Sequence, residues 1–251
     1  MRSRIARWAR RSGLAMFLAA SYALDAGAEV VVPVTPVPPA RADVTAEDIA
    51  ASNAKLQMAY GALVAMWTDD FRQLGTRFAA PSVARYRGNV RTSCGVMRAN
   101  NAAYCPQLNT IYFDEVFVAR QAKAAALELG TDGDMAAVGI IAHEMGHAVA
   151  MQLGEDSQIP YENESVADCL AGVFTQKSAR TGELEKGDLE EAFFGLAAAG
   201  DPTPELTGYR RLDDRILRNA ALMGHGSRDQ RLANFKPGYD GGERACLASF
   251  R

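Results

Sequence analysis

No segment limits the fold of this chain more than Ile140-Ile141-Ala142-His143-Glu144-Met145-Gly146-His147-Ala148-Val149, where two histidines and a glutamate interrupt an otherwise apolar run. Read as a buried helix, the run places residues four apart about 40° from each other in direction and about 6 Å in height. The imidazoles of His143 and His147 therefore leave one face together, close enough for two ring nitrogens to share a Zn2+ at about 2.0–2.1 Å. Glu144 points about 100° away from His143, which suits it to reach water at the ion rather than the ion itself. Gly146 inside the same helix costs about 1 kcal/mol relative to alanine, and close approach of another segment would explain it.

A second segment, Asn163-Glu164-Ser165-Val166-Ala167-Asp168, completes the pattern. Glu164 and Asp168 are also four apart, and like charges at that spacing weaken a helix unless a cation lies near them. A solvated acidic face would explain the pair too, but the flanking Val166, Ala167, Leu170 and Ala171 belong to a buried helix. Glu164 is read as the third ligand, giving a His2Glu set with one open position. Asp168, one turn on, is placed to accept the free ring N–H of a liganding histidine, His143 by this reading.

The two motifs resemble the thermolysin-type (gluzincin) arrangement, and the chain more closely resembles the bacterial neutral zinc metallopeptidase family. The likeness extends through Cys94-Gly95, Tyr104-Cys105-Pro106, Ile111-Tyr112-Phe113-Asp114, Ala167-Asp168-Cys169-Leu170 and Gly187-Asp188-Leu189-Glu190-Glu191-Ala192. It continues at His225-Gly226-Ser227, Gln230-Arg231, Phe235, Gly238 and Cys246, and so covers about Trp67 to the C-terminus. Asn234 stands where the family tends to carry tryptophan, and Ala103 where it tends to carry phenylalanine. The resemblance implies an α+β, zincin-like metallopeptidase domain holding Zn2+ and acting on a peptide or protein substrate. Glu144 is then the general base that takes a proton from water and passes one to the leaving amine. His225, the one histidine outside the metal motif, is the candidate for stabilising the oxyanion, ahead of Arg231 and Tyr161.

Around this centre the chain reads as mainly helical with a small sheet. Thr45 can cap a helix carrying Ile49, Leu56, Leu63 and Trp67 at helical spacing. Residues 82–118 read as strand and loop, with Thr110-Ile111-Tyr112-Phe113 as a strand, either an edge that could add substrate or an ordinary core strand. The spacing predicts further helices over 134–153, 163–180, 187–199 and 209–223, with Gly154, Gly182 and Gly200 as stops.

Residues 1–28 have the form of an export signal. Arg2, Arg4, Arg7, Arg10 and Arg11 precede an apolar stretch from Leu14 to Leu24 and a small-residue cleavage site at Ala26-Gly27-Ala28. The alternative is an uncleaved inner-membrane anchor, the one case in which the chain would touch a membrane. Residues 29–43 form a proline-rich linker, which leaves 44–251 as the metallopeptidase domain. A periplasmic or secreted location follows. Removing residues 1–28 leaves 22 basic against 29 acidic side chains, a balance that argues against nucleic-acid binding.

Four cysteines remain, Cys94, Cys105, Cys169 and Cys246, and an even number in an exported chain points to disulfides. Three pairings are open. Cys94 and Cys105 are close enough for a local clip, which would leave Cys169 with Cys246. The competing functional reading is a catalytically silent, zinc-stabilised binding protein of the cell envelope. Glu144 weighs against it, because a structural site favours a fourth protein ligand over a carboxylate beside an open position.

Overall fold

A computed structural model describes residues 43–201 and 205–251. The export signal and nearly all of the proline-rich linker lie outside the described residues.

Helix α1 (Ala46–Gln73) begins with a capping box: the Thr45 hydroxyl accepts from the Asp48 amide, and the Asp48 carboxylate accepts from the Thr45 amide. Its buried stripe, Leu56, Leu63, Trp67 and Phe71, follows the helical period and covers one side of the core. Strands β1 (Ser82–Tyr86), β2 (Val90–Thr92), β3 (Gly95–Met97), β4 (Ala102–Cys105) and β5 (Thr110–Asp114) come next. β2 and β3 make a small hairpin. The other three form a sheet in the order β1-β5-β4, with β5 parallel to β1 and antiparallel to β4.

This order corrects the reading of 110–113 as an edge and leaves that of a core strand. β5 is the central strand, its buried Ile111 and Phe113 packed into the main core, and β1 and β4 are the edge strands.

Helix α2 (Glu115–Leu129) overturns the reading of 82–118 as strand and loop throughout. Val116-Phe117-Val118 has strand-like composition, but the Asp114 carboxylate accepts from the Val116 amide and starts a helix that alanines then sustain. Helices α3 (Asp134–Gln152), α4 (Pro160–Thr181), α5 (Asp188–Ala198) and α6 (Arg210–Met223) match the four expected segments to within a few residues. α7 (Arg228–Gly241) was not anticipated; it starts at a Ser227–Gln230 capping box and carries Pro237 inside it. The short α8 (Glu243–Cys246) follows.

α3 is buried on nearly every side, as a helix without a polar face must be, and packs against α1, α2, α4 and α5. α4 lies between α3 and α7. Two bonds pin the periphery: Cys94–Cys105 ties the hairpin to β4, and Cys169–Cys246 ties α4 to α8. By closing a longer loop, the second restricts the unfolded chain more. No helix among the described residues is long and apolar enough to cross a membrane.

Candidate metal centre

The centre forms where α3 crosses α4. A Cβ built on Gly146 would lie 2.9 Å from both Cα and O of Ala167, so no larger residue fits without parting the helices. The glycine that weakens the helix locally thus brings Glu164 within reach of both histidines. Glu164 Oε2 lies 3.0 Å from His143 Nε2, and Oε1 lies 3.5 Å from His147 Nε2. The two Nε2 atoms are 3.2 Å apart, with the rings nearly perpendicular.

Those separations fit a shared ion. Tetrahedral ligands at about 2.0–2.1 Å from zinc lie about 3.3 Å from one another. Among the described residues, this is the group that combines imidazole nitrogens with a carboxylate.

The ring orientation of His143 is fixed from behind. Its Nδ1 lies 2.8 Å from Oδ1 of Asp168, a fully buried carboxylate. A carboxylate only accepts, so Nδ1 carries a proton toward Asp168, which leaves Nε2 facing Glu164 and His147, to donate to Glu164 when protonated or to offer its lone pair to an ion. The Asp168 carboxylate thus stands against the ring of His143. Asp168 is itself balanced by Arg231 from α7, whose Nη2 donates to Oδ1 at 2.7 Å while Nη1 donates to the Ala199 carbonyl. The 3.1 Å approach of Arg231 Nη2 to His143 Nδ1 is contact between two donors, not a hydrogen bond.

Electrostatics agree with the geometry. Burial and the Arg231 charge both oppose protonation of His143, yet hydrogen bonds to Asp168 and Glu164 outweigh them and raise its pKa to about 9. Burial pushes Glu164 upward, but hydrogen bonds to His143 and His147 hold it well below the usual carboxylate range. The pocket thus favours positive charge at this point, in the form of a proton or of a divalent cation.

Glu144 is buried one position from His143, and its Oε2 accepts from the main-chain amide of Tyr104 at 2.8 Å. Tyr104 lies on β4, so this amide points off the free edge of the sheet, toward α3. His225 reaches the same neighbourhood from the turn before α7. It is half exposed, with Nδ1 3.8 Å from Asp201 Oδ1, and lines a cavity together with His143 and Glu144. Tyr161, the weakest of the oxyanion candidates, has its ring over Gly226. Arg231, offered for the same role, is engaged with Asp168 instead.

Two participants escaped sequence reasoning. The Tyr104 amide is a main-chain group and leaves no trace in residue identity. Arg231 stood in a recognised Gln-Arg pair, but its ion-pair partner is 63 residues away.

The family model described as "Putative neutral zinc metallopeptidase" matches residues 34–250. Two curated relatives, each named "Uncharacterized protein YpfJ", come from Escherichia coli strain K12 and from E. coli O6:H1. Each is 32% identical to the chain over 200 residues, a match that covers 73% of this chain and 66% of the relative. The chain thus spans just under two thirds of the length of these relatives. No solved structure gives a significant match.

Proposed function

This chain belongs to the neutral zinc metallopeptidase family, and from that premise we propose that it hydrolyses peptide bonds where α3 meets α4. One observation carries the reading. Three ligand-type side chains converge from two helices, while the neighbouring carboxylate of Glu144 stays apart from them, held by the Tyr104 amide.

In this reading His143, His147 and Glu164 hold Zn2+ in a gluzincin-type set with its fourth position open. The ion, when bound, would supply a Lewis acid that acidifies water and polarises a peptide carbonyl. Glu144 accepts a proton from the attacking water and delivers one to the departing amine. The Tyr104 amide engages Oε2 and leaves Oε1 to face the water. Asp168 keeps the proton of His143 on Nδ1 throughout, and Arg231 pairs with the buried Asp168 carboxylate from the other side. His225, at the cavity rim, is the side chain we set against the developing oxyanion.

The substrate backbone lies along β4. The Tyr104 amide is taken by Glu144, and strand alternation turns the polar groups of Ala102 off the same edge, where an extended peptide can pair with them. The two disulfides fit an oxidising compartment, and we place the protein in the periplasm or outside the cell.

The test is Glu144→Gln. It should keep stoichiometric zinc and lose chelator-sensitive hydrolysis of casein by about 10²–10⁴-fold. Unreduced hydrolysis in a fully zinc-loaded variant would overturn the assignment of the base.

A further inference from the structure

The cavity beside the centre is lined by a residue, Gln121, whose amide oxygen nothing in the protein uses. It has a volume of about 240 Å3 and lies among α2, α3, α5 and the start of β4, with His143 and Glu144 in its wall. Exposure separates its mouth from its floor. Asn100 and His225 are exposed at the mouth, whereas Gln121, Ile140 and Leu196 are buried, with Phe117 beside them. Apolar side chains share this surface with polar ones, buried His143, Glu144 and Arg231 among them, and those three have partners within the protein. Gln121 differs: only 7% of it is exposed, and its Oε1 has no hydrogen-bond partner. A buried amide oxygen left unpaired is costly, and native structures seldom keep one without a use.

We propose that this cavity is a specificity pocket for a substrate side chain next to the scissile bond, that its preferred occupant is tyrosine, and that Gln121 reads the hydroxyl. The proposal rests on the peptidase reading above. The volume admits one large side chain and is smaller than typical pockets for drug-sized ligands. Apolar walls of Phe117, Ile140 and Leu196 suit an aromatic ring. The fixed charges in the wall are of both signs, Glu144 against Arg231, so neither an acidic nor a basic side chain gains a net advantage over a neutral one. A phenol hydroxyl both donates and accepts, so it can pair with either polar atom of a carboxamide. Phenylalanine fills the same space and leaves Gln121 unpaired.

Binding tests this without relying on turnover. The zinc-loaded protein is titrated calorimetrically with the hydroxamates of N-acetylglycine, N-acetylphenylalanine and N-acetyltyrosine, which share one metal-binding group. The tyrosine compound should bind about tenfold tighter than the phenylalanine compound, which in turn should exceed the glycine compound by about tenfold or more. In Gln121→Met the tyrosine advantage should vanish while the phenylalanine-to-glycine step persists. The wild-type series stands alone if that variant fails to fold. Equal binding of all three overturns the pocket, and equal binding of phenylalanine and tyrosine overturns the role of Gln121. If even the glycine compound fails to bind zinc-loaded protein, the open metal position is wrong and the pocket assignment falls with it.

Discussion

His143, His147 and Glu164 at the α3–α4 crossing, and Asp132, Asp134, Asp188 and Glu191 around the starts of α3 and α5, each bring ligand-type atoms within 4.8 Å of one another. The two groups use their lone pairs differently. In the acidic group, Glu191 accepts from the Gly133 amide at 3.0 Å and from the Met135 amide at 2.9 Å. Asp188 accepts from the Glu185 amide, Asp134 pairs with Lys55, and Asp132 is largely exposed. These carboxylates hold the first turn of α3 against α5 and are consumed in doing so. At the histidine group, Asp168 fixes the His143 tautomer from outside, and the remaining lone pairs face one point. Proximity of ligand atoms therefore signals folding as readily as binding. What marks a metal centre is ligand atoms that converge on one point and have chiefly one another for partners.

The largest effect expected to sharpen this contrast is on zinc affinity. His147→Ala should weaken zinc binding roughly 10³-fold in a chelator-competition titration, since each ligand carries a large share of the binding free energy. Asp132→Asn should leave that affinity unchanged. Equal losses from both variants would erase the distinction.

Removing the cation behind each group gives the next largest effect. Arg231→Met strands the buried Asp168 carboxylate and should cost about 3–5 kcal/mol in urea unfolding. Lys55→Met removes a partly exposed pair and should cost no more than about 1 kcal/mol.

The smallest effect is in pH dependence. Burial, reinforced by neighbouring carboxylates, raises the pKa of both Asp188 and Glu191 above the ordinary range. The folded state then binds protons more tightly than the unfolded chain, so their contribution is most favourable at low pH. It is lost as pH rises from ordinary carboxylate values through the raised ones. Asp188→Asn keeps an acceptor for the Glu185 amide and should flatten the decline of Tm with pH over that window. An unchanged slope would show that Asp188 does not titrate there.

The histidine group was legible because a helix converts spacing into direction. Residues 143 and 147, and 164 and 168, share faces wherever the helices lie, and Gly146 marked the contact that joins them. The acidic group was visible only as a family motif at 187–192, since its members come from the start of α3 and the first turn of α5, far apart in the chain. Position within the sheet was illegible for a related reason. Thr110-Ile111-Tyr112-Phe113 has the composition of a strand, but composition does not say whether its neighbours lie on one side or two. α2 was hidden by Val116-Phe117-Val118, whose strand-like character is overridden by the carboxylate just before it. Gln121 gave no signal, because an unpaired oxygen is defined by what surrounds it.

Helix α4 is pressed on two sides by main chain. Gly146 of α3 meets it at Ala167. On the α7 side, a Cβ added at Gly172 would come within 2.3 Å of the Phe235 carbonyl oxygen, and one at Gly238 within 1.8 Å of that of Cys169. A rod wedged between two backbones has little sideways travel, so the main chain at Glu164 stays fixed relative to α3. In the proposed peptidase, zinc and substrate would share the cavity mouth beside that crossing, and a bound peptide should then protect the zinc-loaded protein from chelators.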